Sequence, residues 1–279
     1  LSSEIIFIND CSVDHTLNKL KASQKKHPNI KIISFSRNFG KEIALTAGLD
    51  ACCGKAVIPM DIDLQDPPFL IIDMLKKWKK GYQVVLAIRN NREHDTWAKR
   101  TTSSLFYKIM SKISKTNIPA NCGDFRLMDR KVVDVITQFP ERVRFMKGIL
   151  SWPGFSTTQI YYDRPKRYSG STKWSFLNLW RLALDGIMSF STLPLKIWTY
   201  VGILISLISL TYALILIIRT FILGVDTPGY ASLMVTILFM GGIQLISLGV
   251  IGEYIARIYS EAKNRPLYVI EEQIGFPNK

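Results

Sequence analysis

The chain has 279 residues, 48% of them hydrophobic and 21% charged, with a net charge of +14. That length holds one ordinary domain plus an appendage, and the balance of apolar to charged residues, with the apolar ones concentrated in the last third, is unusual for a soluble enzyme. So large a positive surplus calls for an anionic partner. The basic residues show neither zinc-finger spacing nor base-stacking aromatics, which excludes nucleic acid and leaves a membrane surface or phosphate groups.

Taken in order, the first 165 residues alternate short apolar runs with helical stretches. Ile5–Asn9, Lys31–Phe35, Ala56–Met60 and Val84–Ile88 read as strands buried on both faces. Helical spacing falls near 14–26, 40–52, 67–80 and 96–114, and Asp66-Pro67-Pro68 reads as a helix start. This alternation predicts an α/β domain with a mostly parallel sheet, whose ligands sit at the carboxyl ends of the strands. The polar clusters fall there: Asn9-Asp10, Asp61-Ile62-Asp63 and Arg89. Lys76, Lys77, Lys79 and Lys80 are either a membrane-facing patch or a solvated helix face. Cys11, Cys52, Cys53 and Cys122 form no C-x-x-C pair and have no histidine at ligand spacing. They read as reduced thiols of a cytoplasmic domain, with no zinc site.

Residues 174–193 combine Trp174, Phe176, Leu177, Trp180 and Leu184 with Lys173, Arg181 and Asp185, the pattern of an amphipathic helix at a membrane interface or, as the alternative, of a core helix of the soluble domain. Ile197–Ile218 and Ala231–Gly252 each run about 22 residues without a charge, long enough to cross the hydrocarbon core. Lys166, Arg167, Lys173, Arg181 and Lys196 precede the pair, and Arg257, Lys263 and Arg265 follow it, so the positive-inside rule puts both ends in the cytoplasm. The expected organisation is a catalytic domain over 1–165 and a juxtamembrane region over 166–196. Membrane helices over 197–218 and 231–252 follow, joined by an extracytoplasmic loop over 219–230, with a cytoplasmic tail over 253–279.

The motif that carries chemistry is Asp61-Ile62-Asp63-Leu64-Gln65-Asp66-Pro67-Pro68. Two carboxylates spaced D-x-D at a strand end suit Mg2+ or Mn2+, hard cations that also bind substrate phosphates and neutralise a departing diphosphate. D-x-D alone is weak evidence, because acids at strand ends also cap helices; the attached Leu-Gln-Asp-Pro-Pro makes it specific.

With that motif the chain resembles the polyprenyl-phosphate glycosyltransferases, a branch of GT-A family 2 that includes dolichyl-phosphate mannose synthase. Further segments are similar to the bacterial bactoprenol (undecaprenyl-phosphate) glucosyltransferases: Ser36–Glu42, Gly123–Met128, Phe145–Gly148, Ala183–Ile187 with Ser189–Ser191, and Gly252–Tyr254. The resemblance covers essentially the whole chain. It implies a GT-A, Rossmann-like domain and an inverting transfer of a hexose from a sugar nucleotide to undecaprenyl phosphate. The expected setting is the cytoplasmic face of a bacterial inner membrane, and the expected product is lipid-linked sugar for O-antigen-type surface glycan. UDP-glucose is the expected donor and N-acetylglucosamine the alternative sugar. It also implies a flippase partner and a homo-oligomer, a tetramer in relatives.

By the same resemblance Asp61, Asp63 and Gln65 form the metal and diphosphate site. Asp63, Asp124, Arg126 and Arg167 are catalytic. Asn9, Asp10, Arg37, Gln65, Arg89 and Lys173 bind donor or acceptor, with Asp10 at the nucleotide base and Arg89 at the acceptor phosphate. Two departures stand out. Cys11 occupies a position where the family has Gly, in a tight turn that Gly tolerates easily. The family also begins with a strand ahead of Glu4–Asn9, which by analogy lies between the strands ending at Asn9 and Asp61. The chain therefore reads as starting one strand into the domain, and an inactive membrane scaffold is the non-enzymatic alternative. A processive polysaccharide synthase would carry Q-x-x-R-W; the nearest stretch here is Asn178-Leu179-Trp180-Arg181.

Overall fold

The computed structural model describes residues 2–63, 65–90, 122–163, 188, 191–223 and 229–277. They divide into two compact units, Leu1–Ser189 with Arg265–Lys279, and Phe190–Asn264. The sequence-predicted helices near 96–114 and 174–193, with Arg167 and Lys173, lie outside the described residues, apart from the ends of the second.

The first unit is mixed α/β. Its described elements are β1 (Ile5–Asn9), α1 (Thr16–Lys26), β2 (Ile30–Phe35), α2 (Lys41–Ala51), β3 (Ala56–Val57), α3 (Leu70–Lys79), β4 (Val84–Arg89), β5 (Cys122–Asp129), α4 (Arg130–Thr137), α5 (Met146–Ile149), β6 (Thr157–Tyr162) and β7 (Ile270–Ile274). They form a three-stranded sheet, β1-β2-β7, and a four-stranded sheet, β3-β5-β4-β6. The expectation of a mostly parallel sheet needs correction. Of the described pairings β1–β2 and β4–β6 are parallel, while β2–β7, β3–β5 and β4–β5 are antiparallel. The continuous apolar runs of β2 and β4 were sound guides to burial, since these are the inner strands of their sheets and Ile32, Ile33, Phe35 and Val85 are almost fully buried. The other two runs need correction: β1 is only partly buried, with Ile5 exposed, and the run expected over Ala56–Met60 is a strand only at Ala56–Val57. Burial on both faces does not fix strand direction, which depends on partners distant in sequence. Among the described residues, β1 and β3 each have one edge that no strand pairs.

Each sheet has its own core. Leu70 and Met74 of α3 pack on Val85, Ala87, Phe125 and Leu127. Ile33, Phe35 and Ala47 form the second cluster, closed by Tyr268 and Phe276. Of the tail expected over 253–279, residues 265–279 therefore belong to the first unit, while the stretch up to Asn264 belongs to the second. Ile32–Phe35 pair with Ile270–Ile274, Phe35 stacks on Tyr268, and Lys21 pairs with Glu272 at 2.6 Å.

Local chemistry sets the element ends. Asp129 caps α4 by accepting the Lys131 amide at 3.0 Å and also accepts the Trp78 indole N–H at 2.7 Å, satisfying a helix-start donor. Helix α3 begins at Leu70 rather than at the prolines. The Leu70 and Ile71 amides bond to the Pro67 and Pro68 carbonyls, three residues back, which is a turn tighter than the α-helix. Lys76, Lys77 and Lys79 close its last turn, where cations suit the helix dipole, and Lys76 pairs with Asp73. The lysine cluster thus sits at an exposed helix end.

In the second unit α6 (Leu193–Leu223) and α7 (Tyr230–Ala262) are longer than the sequence expectation of 197–218 and 231–252. Segments Leu193–Leu216 and Val235–Ala262 have mean hydropathy 2.1 and 2.0 and are long and apolar enough to cross a membrane. Their apolar side chains, among them Leu207, Ile208, Leu245 and Leu248, are exposed. Helix α7 continues past Gly252 through Glu253 and Arg257, which pair at 2.9 Å one turn apart.

Candidate active site

The site is assembled from strand ends and one helix start. Asp61 follows β3, Asp124 lies on β5, and Lys41 opens α2. The Lys41 ammonium stands 2.7 Å from Asp61 Oδ2 and 2.8 Å from Asp124 Oδ2. The acid that the fold brings to Asp61 is therefore Asp124, from 63 positions away. Asp124 Oδ1 is buried and has no hydrogen-bond partner.

Backbone geometry fixes Lys41 in place. Asp10 accepts the Phe39 amide at 2.7 Å and the Gly40 amide at 2.9 Å, so its carboxylate holds the turn that leads into α2. Gly40 adopts φ 93, a left-handed value suited to glycine. Cys11 takes φ 55, a left-handed value uncommon for a residue with a side chain. Asn9 is buried; its amide donates to Ser34 Oγ at 3.0 Å and its oxygen accepts the Ser12 amide. Of these two expected binding residues, Asn9 thus ties β1 to β2, and Asp10 ties the end of β1 to the entry of α2.

Electrostatics favour a charged Lys41–Asp124 pair. Burial opposes the ammonium, but Asp124 and then Asp61 outweigh it and raise Lys41 well above the usual lysine range. Burial likewise works against the Asp124 carboxylate, yet Lys41, Arg126 and Lys147 hold it below its ordinary value. Glu42, next along α2, is pushed up to about 7 by burial and then by the Asp124 charge. Its Oε2 accepts the Met146 amide at 3.2 Å.

A second cluster lies beside the acidic turn. Asp63 Oδ1 accepts the Gln65 amide at 3.1 Å, which shapes the turn. Asp66, 4% exposed, accepts the Tyr162 hydroxyl at 3.1 Å, and Arg89 Nε donates to that same hydroxyl at 3.4 Å. A Cβ on Gly123 would lie 3.0 Å from Arg89 Nη2, so the glycine gives the guanidinium room beside Asp124. Arg126 is 2% exposed. It donates to the Gly123 carbonyl at 2.9 Å and to Cys122 Sγ, and borders a small cavity with Leu86, Leu150 and Phe155. Arg126 and Asp124 share a face of β5, but the ion pair of Asp124 is with Lys41. Arg37 is exposed and lies over the Phe39 ring at 4.4 Å.

Sequence reasoning gave no role to Lys41, Glu42 or Tyr162. The signal for the first two was a Lys-Glu pair at the start of a helix, directly after the Phe39-Gly40 corner. Nothing local marked Tyr162.

Residues 1–137 match Glycosyl transferase family 2, and residues 193–258 match the GtrB C-terminal hairpin. Similarity to curated proteins runs nearly end to end. An uncharacterized glycosyltransferase of Synechocystis sp. is 56% identical over 99% of this chain and 86% of its own. The chain belongs to glycosyl transferase family 2, in the branch with the GtrB hairpin. The bactoprenol glucosyl transferase of Shigella phage SfII is 51% identical over 96% of this chain and 87% of its own. The prophage bactoprenol glucosyl transferase homolog of Escherichia coli K12 is 50% identical over 96% and 88%. The chain is thus a transferase with a mixed α/β, GT-A-like domain and two apolar helices. The four cysteines are free thiols.

Among the described residues no three His, Cys, Asp or Glu side chains converge on one point. A divalent cation of the Mg2+ type does not require three, because one or two carboxylates suffice when substrate phosphates and water complete its shell. Asp61 and Asp124 already share one cation, and Asp124 Oδ1 has unused acceptor capacity. The residues therefore fit such an ion.

Proposed function

We propose that this family 2 transferase moves glucose from UDP-glucose to undecaprenyl phosphate at the cytoplasmic face of a bacterial inner membrane, supplying lipid-linked sugar for surface glycan. The observation that carries the reading is the convergence of Asp61 and Asp124 on one cation beside buried Asp66 and Arg89. The identity of about half to proteins named bactoprenol glucosyl transferases supports the substrate class. The apolar pair Leu193–Leu216 and Val235–Ala262 supports membrane attachment.

Asp61 and Asp124, with Asp63 and Gln65 on the same turn, would hold Mg2+ or Mn2+. When bound, such an ion draws charge off the departing nucleotide diphosphate. The protein's own groups do the rest. A lipid phosphate monoester has a second pKa near ~6 by analogy with phosphoserine, so it is mostly dianionic at neutral pH and attacks without a strong base. Arginine fits such an anion through its planar fork of donors. Arg89, steadied by Tyr162, is the guanidinium beside Asp124 that suits this task; Arg126 and Arg167 are the further candidates. Asp124 keeps its negative charge and orders the cationic groups around it. The reaction is one displacement with inversion at the anomeric carbon. A flippase partner and a tetrameric assembly belong to this reading as proposals.

The test is a membrane assay of the full chain with undecaprenyl phosphate and labelled UDP-glucose, UDP-N-acetylglucosamine or GDP-mannose. Organic-extractable label from UDP-glucose, lost in EDTA and restored by Mg2+ or Mn2+, is the expected result. Label from UDP-N-acetylglucosamine alone moves the sugar assignment. No lipid-linked label from any donor favours the scaffold.

A further inference from the structure

The two carboxylates of the cleft come from different parts of the fold, the turn after β3 and the first half of β5, and both oxygens face one point. Two like charges so close disfavour each other unless a cation stands between them. Lys41 supplies it. Its backbone is anchored, since Asp10 takes the Phe39 and Gly40 amides. Its side chain is 45% exposed and ends in a hydrated point charge on a flexible four-carbon stem. Arg126, in contrast, is almost wholly buried and bonded to its own strand. Of these two cations Lys41 is the one able to leave toward water without opening the core.

We propose that Lys41 is an exchangeable cation of the active site. It joins Asp61 to Asp124 before donor and metal arrive, competes with the divalent ion for both carboxylates, and is released to the donor diphosphate when that ion binds. The inference rests on the metal-dependent transfer reading and adds an order to it. A metal binding alone must displace the ammonium with no new partner to receive it. With a nucleoside diphosphate present, the displaced ammonium finds an anion. Metal and nucleotide binding are then positively coupled through Lys41, and by reciprocity each strengthens the other by the same factor. The device guards against an unproductive metal-only state and keeps Asp61 and Asp124 from repelling one another.

The experiment is Mn2+ binding followed by electron paramagnetic resonance on the full chain in detergent micelles, with and without UDP, for wild type, Lys41→Met and Lys41→Arg. Methionine keeps the length of the stem and removes the charge. Lys41→Met should bind Mn2+ alone about tenfold more tightly than wild type, and UDP should strengthen its Mn2+ binding by a smaller factor than in wild type. Lys41→Arg should keep the weak metal-alone binding. Thermal unfolding gives an independent readout. Without metal Lys41→Met should melt below wild type, and Mn2+ should raise its melting temperature by more. Mn2+ binding by folded Lys41→Met that is no tighter than wild type, with wild-type coupling to UDP, overturns the exchange role and leaves metal-dependent transfer standing. A wild type that binds no Mn2+ even with UDP overturns both.

Discussion

Tyr162 donates its hydroxyl hydrogen to Asp66 Oδ1 at 3.1 Å, linking the last residue of β6 to the acidic turn 96 positions earlier. Asp66 is nearly fully buried, and burial pushes its carboxyl upward while the Tyr162 hydrogen bond pulls it back. Tyr162→Phe keeps the ring on Phe125 but leaves a buried acceptor without this donor and takes the Arg89 contact away. A buried polar group stripped of its partner costs about 1–3 kcal/mol. Denaturant unfolding should show a loss of that size. A Tyr162→Phe stability within error of wild type would mean that the bond is incidental.

Asp61→Asn and Asp124→Asn preserve side-chain shape while removing one charge each from the point that Lys41 now occupies. Losing preorganised electrostatic stabilisation of a transition state costs about 10²–10³ in kcat. Each variant should fall by that order in sugar transfer to lipid while still folding. Double replacement of Asp61 and Asp63 by Ala with transfer at the wild-type rate would refute the acidic site altogether.

The parts of this fold legible in the sequence were those whose physics is local. The runs Lys31–Phe35 and Val84–Ile88 are largely apolar because they lie in inner strands, and the acidic motif lies in the turn beyond the short strand β3. Strand β5 was hidden because its Asp124–Arg126 face is polar and its Phe125–Leu127 face is core, and the charges break the apolar run. Strand β7, Ile-Glu-Glu-Gln-Ile, is an edge whose only warrant is pairing with Ile32–Phe35 more than 230 positions away. The meeting of Asp61 with Asp124 is likewise long-range, so spacing pointed to Asp63 as the partner, and resemblance alone put Asp124 in the site.

That distant pairing gives its own prediction. Tyr268 stacks on Phe35 with ring centroids 5.2 Å apart and donates its hydroxyl to Asp50 at 3.0 Å. It therefore ties the segment after α7 to both β2 and α2. Tyr268→Ala loses an aromatic pair and part of its buried area, and should destabilise the catalytic unit by about 2 kcal/mol. Limited proteolysis should then cut near Arg265 at lower protease concentration than in wild type. An unchanged digestion pattern would show that β7 is held without it.

Glu42 gives the pH dependence. Its carboxyl is raised from 4.5 to about 7, chiefly by burial and then by the Asp124 charge, against the pull of the Met146 amide, Lys41 and Lys147. The folded chain thus binds this proton more tightly than the unfolded one. The stabilising contribution is complete below about pH 4.5 and is lost as pH rises through about 7. Asp124 contributes in the opposite direction, because its carboxyl is lowered on folding, so the wild-type profile alone mixes the two. The difference between wild type and Glu42→Gln isolates the glutamate, since glutamine keeps an oxygen for the Met146 amide and does not titrate. Measured in EDTA, Glu42→Gln should gain on wild type between pH 5 and pH 8 by up to roughly 3 kcal/mol, a tenfold change in proton affinity being worth about 1.4 kcal/mol. A gap that stays constant across that range would mean the carboxyl is solvated rather than buried against Asp124, and that the charge balance of the cleft rests on Lys41 alone.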